Sequence, residues 1–399
     1  MTAPVPGLPA RRAALQLLDA VLRRGQALEN ALAAATKGIE KPEDRALAHA
    51  IASETLRRIP DLDGLIDGAT RQRLPDDAKA RMVLRIALVQ ALVLGTPHHA
   101  AVSTALPLVD GGPRRLVHGV LGSLLRGGAK LRETPMLPPI VEARWAGAWG
   151  MAMVGAAAEA LAAPPPIGLT FRDGRTPETV PAGTDVTALP GFAQGEWWVQ
   201  NVAASLPARL LGRGGGRSVL DLCAAPGGKT MQLASQGWAV TAVERDGARL
   251  ARLRQNLERT GLTAKLIEAD VLRWTPEGRH DAILLDAPCT ATGIFARHPD
   301  VLHRVRPKDI AQMAEVQAIM LARACGWLAP GGRLVYATCS LEPEEGEEIA
   351  ERAPEAGLSL DPVAENELIE GVAPHPQGWV RVLPGQGRDG FFIARVHKA

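Results

Sequence analysis

The chain has 399 residues and a net charge of +2, and 46% of its residues are apolar, enough for about two or three domains with real cores. No run of about 18 uncharged apolar residues occurs, so no membrane-spanning helix is expected. None of the four cysteines, Cys223, Cys289, Cys325 and Cys339, falls before residue 223, so a disulfide framework is not expected, and they lack CxxC or Cys/His ligand spacing, so neither is a zinc or other metal site.

The N-terminus carries Pro4, Pro6, Pro9 and Arg11-Arg12 and no apolar signal core, so a cytoplasmic protein is expected. Residues 1–130 hold 18 Lys+Arg and 12 Asp+Glu, a surplus of +6; the other 269 hold 27 and 31, or −4. A basic front suits a polyanionic partner, and an ordinary solvated surface is the alternative. Arginine far outnumbers lysine, and its planar fork suits phosphate.

Residues 11–127 read as all-helical. Apolar positions recur at helical spacing from Ala13 to Leu22, at 45–59, at 79–94 and at 115–126. Breaks fall at Lys41-Pro42, Ile59-Pro60, Leu74-Pro75 and Thr96-Pro97. On Arg11–Leu18, Asp44–Leu47, Glu54–Arg57, Arg81–Ala91 and His99–Val102, this stretch resembles the NusB-type RNA-binding fold. His118 stands where that family usually has an asparagine. Pro135, Pro138 and Pro139 then mark a linker, Trp145 to Leu161 reads as one apolar helix, and Pro164-Pro165-Pro166 stops it. Gly168–Phe171 is compatible with a short strand.

From Phe192 the sequence alternates. Strands are expected at 217–222, 239–244, 264–269, 281–286 and 333–338, and helices at 200–212, 228–236, 246–260 and 308–328. A closing strand pair is expected at 379–384 and 390–396. This is the pattern of a doubly wound α/β sheet, whose ligands bind at the strand C-termini.

The expected ligand loop is Cys223-Ala224-Ala225-Pro226-Gly227-Gly228-Lys229, between a strand and a helix. It lacks GxGxxG, and Cys223 stands where a Walker A loop needs its first glycine, so a nucleotide triphosphate site is not expected. Glu244 ends the second strand, where an acid hydrogen-bonds ribose hydroxyls in nucleotide-binding folds. Asp270 ends the third and can accept from an exocyclic adenine amine. Asp286-Ala287-Pro288-Cys289 and Thr338-Cys339-Ser340 end the fourth and fifth strands, which directs two thiols toward one crevice. Cys325 reads as helix core and Cys223 as a structural part of the loop.

These motifs, with Thr290–Gly293, Arg297-His298-Pro299-Asp300, Tyr336-Ala337 and Asp389–Ala394 in order, resemble the NOL1/NOP2/Sun family of RNA cytosine-5 methyltransferases. With a NusB-like front, the arrangement is similar to its 16S ribosomal RNA methyltransferase B subfamily. Asn201 stands where Gln-Asp is usual, and Leu169-Thr170-Phe171-Arg172 where Leu-Arg-Val-Asn is usual.

The resemblance implies a NusB-like helical domain over 1–130, a linker and small RNA-contacting subdomain over 131–191, and a Rossmann-like methyltransferase domain over 192–399. It implies S-adenosylmethionine bound by 223–229, Glu244, Asp270 and Asp286, and ribosomal RNA, 16S in particular, as partner. It implies that Cys339 adds to C6 of cytosine, that Cys289 assists breakdown of the adduct, and that Asp286 contacts the base. A DNA cytosine-5 methyltransferase would attack with Cys289 instead. A non-catalytic ribosome-assembly factor is the other alternative.

Overall fold

The computed structural model describes residues 6–398. The chain falls into two compact units: one runs to Ala163 and takes in Phe295–Val305, and the other comprises Pro164–Ile294 and the chain from Arg306 on. The stretch 131–191 is thus shared between the units.

The first unit is helical: α1 (Leu8–Leu22), α2 (Leu28–Ala35), α3 (Pro42–Arg57), α4 (Ile59–Gly68), α5 (Lys79–Leu92), α6 (His98–Ala105), α7 (Gly111–Arg126), α8 (Pro139–Trp149) and α9 (Met151–Leu161). Pro42 and Pro60 sit in the first turns of α3 and α4, and Pro97 caps α6. The missing N–H costs nothing there. Residues 80–90 of α5 are all buried, including Arg81 and Arg85. Both guanidinia are paired: Arg85 grips Asp63 through two 2.7 Å bonds, and Arg81 reaches Asp63 at 3.0 Å and also Asp67. Unpaired, charges in the central helix would cost several kcal/mol each.

The single helix expected from Trp145 to Leu161 is two. Gly150 separates α8 from α9 with φ +80, a backbone state that other residues rarely adopt. Nothing lies within 4 Å of a Cβ built there, so conformation and not space demands glycine.

The second unit opens with a small antiparallel sheet, order β2-β1-β3, of β1 (Ile167–Phe171), β2 (Glu178–Val180) and β3 (Trp197–Val199). Next come α10 (Val202–Arg209), β4 (Ser218–Leu222), α11 (Gly228–Ser235), β5 (Ala239–Glu244), α12 (Gly247–Thr260), β6 (Lys265–Glu268) and β7 (His280–Asp286). After the short α13 (Val301–Arg304), which lies in the first unit's segment, follow α14 (Pro307–Trp327), β8 (Leu328–Thr338), α15 (Glu347–Glu351), β9 (Leu358–Leu360), β10 (Val380–Val382) and β11 (Phe391–Lys398).

The large sheet has the order β10-β11-β8-β7-β4-β5-β6, with β9 also on β11. β4 to β8 pair in parallel and β11 closes antiparallel on β8. Alternate residues of the central strands enter opposite cores: Val219, Leu284 and Val335 one, Leu220, Leu285 and Leu334 the other. Helices cover both faces, which is why these strands read as continuous apolar runs. The order reverses between β4 and β7. Such a switch point leaves a crevice at the strand C-termini, where ligands bind in α/β sheets.

The segment Phe295–Val305 carries Arg297–Asp300 and packs within the helical unit. Arg57 donates to the Ala296 carbonyl at 2.6 Å, and Trp145 meets Phe295 at 5.3 Å between ring centroids. His303 Nε2 donates to the Leu56 carbonyl at 2.7 Å, and Asp300 accepts from Leu28 N at 3.4 Å.

Candidate active site

The site grows out of three strand ends. After β4 the chain turns through Cys223 (φ +62), a cis Ala225–Pro226 bond and Gly227 (φ +106) into α11. A Cβ on Gly227 would come 2.9 Å from Leu253 Cγ, so both conformation and space require glycine. The loop is tied from outside. Ala224 N donates to Val243 O at 3.1 Å, Asn256 Nδ2 to Pro226 O at 2.9 Å, and Arg249 to Ala225 O. The first N–H groups of α11 have no intrahelical acceptor and form an anion-favouring terminus.

Glu244, at the end of β5, is 3% exposed and holds this loop. Its Oε2 accepts from Ala225 N at 3.3 Å and its Oε1 from Asp246 N at 3.0 Å. A carboxylate has further acceptor sites on each oxygen, so a diol can still be bound. Asp270 lies two residues beyond β6, not at its last residue, and its Oδ1 accepts from Leu272 N at 2.9 Å.

Asp286 ends β7 and accepts from Lys229 Nζ at 2.7 Å, which brings the first loop onto the next strand. Burial works against the Lys229 charge, but the Asp286 carboxylate beside it prevails and raises the ammonium's pKa. Below them Asp221 is fully buried and accepts from Thr230 Oγ1 at 2.5 Å. Burial pushes its carboxyl up to about 7. Cys223, in the same loop, is raised to about 12, first by burial and then by the surrounding carboxylates. At neutral pH it is a thiol, and an inert one.

The sulfurs of Cys289 and Cys339 lie 3.5 Å apart. Their loops are cross-tied: Ala287 N donates to Ala337 O at 2.9 Å, Gly293 N to Cys339 O at 2.9 Å, and Leu341 N to Thr292 Oγ1 at 3.0 Å. A Cβ on Gly293 would stand 2.2 Å from Gly390 O. The Cys289 thiol is raised well above its ordinary value, first by its hydrogen bond to Cys339 and then by burial. Cys325 is away from this site, buried in the core against α14's neighbours, and its Sγ donates to Ala356 O at 2.7 Å.

One residue that organises the site escapes sequence reading. Glu345 is wholly buried and accepts four bonds: from Thr290 N at 2.9 Å, Thr290 Oγ1 at 2.5 Å, Ser340 Oγ at 2.5 Å and Gln317 Nε2 at 3.1 Å. Thr290 and Ser340 each follow one of the two cysteines, so a single carboxylate holds both thiol loops. Burial raises its pKa against those bonds. In sequence it sits within Glu342–Glu348, an acidic run that reads as solvated surface. Among the described residues no group of three or more His, Cys, Asp or Glu is placed to hold a metal ion. No described helix is long and apolar enough to cross a membrane.

The fold and crevice define a class: a Rossmann-like S-adenosylmethionine-dependent methyltransferase unit combined with a NusB-type helical unit. Residues 8–126 match the NusB family, and residues 208–397 match the family described as 16S rRNA methyltransferase RsmB/F. "Ribosomal RNA small subunit methyltransferase B" of Xanthomonas campestris pv. campestris is 34% identical over 98% of this chain and 98% of its own length. The crystal structure of PH0851 overlays the full length of both chains with a TM-score of 0.76 at 22% identity, a likeness of fold. NSun6 from Pyrococcus horikoshii, solved with SFG, is 29% identical over 54% of this chain and 56% of that one, with a TM-score of 0.50. The chain belongs to the RsmB/F family of 16S ribosomal RNA methyltransferases.

Proposed function

We propose that this protein methylates C5 of a cytosine in ribosomal RNA, 16S RNA in particular, through a covalent adduct with Cys339. The observation that carries the reading is the pair of sulfurs 3.5 Å apart at the C-terminal ends of adjacent strands, beside the Lys229–Asp286 ion pair. The relatives' names support ribosomal RNA as substrate. A cytoplasmic setting follows from that substrate.

C5 of cytosine is a weak nucleophile. The Cys339 thiolate adds to C6, and the ring electrons move to C5, which becomes enamine-like. The Lys229–Asp286 ion pair lies in the same crevice. Bound S-adenosylmethionine supplies an electrophilic methyl group. Residues 223–229, Glu244, Asp270 and Asp286 would hold it; the free acceptor sites on Glu244 and the unpaired N–H groups at the start of α11 suit its ribose and its carboxylate. C5 takes that methyl group and then gives up its proton to a base such as water, while the S–C6 bond breaks with its electron pair returning to the Cys339 sulfur, and aromaticity returns. Cys289 assists this elimination, and Asp286 hydrogen-bonds the base. The base leaves its stack to reach the thiols. Residues 1–130 and the subdomain within 131–191 contribute RNA contacts.

Denaturing gels with labelled RNA test the division of labour. Cys339→Ala is expected to abolish both methylation and the protein–RNA adduct. Cys289→Ala is expected to transfer the methyl group and then stall, leaving protein joined to RNA. A trapped complex with Cys339→Ala and none with Cys289→Ala would reverse the two roles. A DNA-directed reading assigns the attack to Cys289, and methylation assays on naked RNA against DNA decide it.

A further inference from the structure

A cleft of about 770 Å³ lies on the methyltransferase unit, and the chemistry above makes no use of it. Its walls are the β1–β2 turn, α10 with the residues after it, the end of α11 and the loop before β11. Arg172, Arg175, Arg209, Arg213 and Arg388 line it, against two carboxylates, Asp173 and Glu370. From residue 131 on, the chain carries 27 Lys+Arg and 31 Asp+Glu. The arginines are therefore a local concentration on an otherwise acidic part of the chain. Such a cationic concavity focuses field and draws anions.

The arginines are not equivalent. Arg175 lies 3.6 Å from the centroid of the Phe171 ring. Phe171 is buried and Arg175 exposed, so the ring backs one side of the guanidinium plane and solvent meets the other. A supported guanidinium plane is a stacking surface for an unpaired base. Arg388 is fixed by bonds to Glu370 O at 2.8 Å and Gln386 Oε1 at 2.9 Å. The side chains of Arg209 and Arg213 have no hydrogen bond or ion pair among the described residues, and both are exposed. Two unpaired guanidinia in one cleft favour phosphate, which they can meet in bidentate fashion.

One wall of the cleft is tied by hydrogen bonds to a thiol loop. Arg388 is followed by Asp389 and Gly390; Gly390 N donates to Gly293 O at 2.8 Å, and Gly293 N to Cys339 O. On the other wall Asn201 caps α10 and donates to Gly387 O at 3.0 Å. The volume is that of a small-molecule pocket, room for roughly one or two nucleotides.

We propose that this cleft carries the phosphate backbone of the single-stranded RNA flanking the target base, with Arg209 and Arg213 on phosphates and one base stacked on Arg175. The proposal rests on RNA as the substrate. The test uses the full-length protein, a 16S RNA fragment and filter binding across a salt series, alongside steady-state methylation. The double variant Arg209→Ala/Arg213→Ala is expected to bind RNA about tenfold more weakly, to raise KM by a similar factor and to flatten the log–log salt slope by about 1.4, or about 0.7 per single-strand phosphate contact. Its thermal midpoint and its S-adenosylmethionine affinity are expected to match the parent, because both side chains are exposed. Arg175→Lys keeps the charge and is expected to lose affinity for an RNA that has the flanking base but not for one that is abasic there. Unchanged RNA affinity and slope in the double variant would overturn the proposal, as would equal losses in RNA and cofactor binding. Binding is read apart from turnover, so RNA that binds through the arginines without being methylated would refute the proposed reaction and leave the cleft assigned.

Discussion

Two carboxylates show how far a side chain's role departs from its place in a motif. Glu244 was expected to meet a ribose, and it spends two of its acceptor positions holding Ala225 and Asp246. Glu244→Ala removes both a diol acceptor and the brace of the cofactor loop. S-adenosylmethionine affinity is expected to fall by about 1–3 kcal/mol, the scale for hydrogen bonds to a charged group. Isothermal calorimetry giving the parent affinity would remove Glu244 from the ribose site. Asp221 differs in kind. Its carboxyl is raised by burial from 3.8 to about 7, so the folded chain keeps a proton that the unfolded chain releases near pH 4. Its contribution to stability is therefore full below about pH 4 and is lost as pH rises through 7. The isosteric Asp221→Asn is expected to gain on the parent steadily between pH 4 and 7 in urea melts; parallel profiles would show that the buried carboxyl is ionised throughout. Nothing in the sequence separates Asp221 from an exposed acid, because burial at a strand end is decided by the helices packed over it.

Between elements, Glu345 is the joint that makes two loops one site. Four donors converge on it, and a carboxylate can accept from all of them. Glutamine brings an NH2 group that faces donors with another donor. Glu345→Gln is expected to cost about 3–5 kcal/mol in chemical denaturation, the scale for breaking a buried charged network, and to slow adduct formation by loosening the Cys289–Cys339 spacing. A variant of parent stability and activity would refute this coupling. The elements themselves were largely legible. The central strands are buried on both sides, so β4, β5 and β7 read as apolar runs within a residue of their observed ends. Reading failed where backbone conformation outweighed hydrophobicity. Gly150 splits an apolar run into α8 and α9, and β8 begins at Leu328, five residues before the expected start, because pairing with β7 resumes across Pro330–Gly332 after a register shift. Glu345 was illegible because its four donors lie up to 55 residues away in sequence.

On the scale of the whole molecule, the helical unit contains a piece of chain that no local pattern assigns to it. The Phe295–Val305 segment joins α3, α8 and α2 through contacts as long as 272 residues in sequence. His303 is its pH-sensitive member. Burial lowers the imidazole from 6.5 to about 4, against the carbonyl of Leu56, which favours the charged form. The folded histidine is thus neutral where an unfolded one would be charged, and its contribution is full above about pH 6.5 and lost as pH falls toward 4. His303→Gln keeps a donor to Leu56 and carries no charge. The stability advantage of the parent over this variant is expected to shrink between pH 7 and 5, and a constant difference would mean that burial leaves the proton uptake of His303 the same in the folded as in the unfolded chain.

That same segment orders events during synthesis. The ribosome finishes α9 at Leu161 long before it reaches Phe295, Asp300 and His303. At roughly 5–20 residues per second, about 7–28 s separate the two. Throughout that interval Arg57, a nearly buried guanidinium, lacks its Ala296 acceptor, and Trp145 lacks its aromatic neighbour. The nascent helical unit therefore lacks these contacts until a strip of chain encoded within the methyltransferase sequence has been made. A message truncated before codon 305 leaves that strip missing, so the helical unit cannot be completed by its own stretch of message alone.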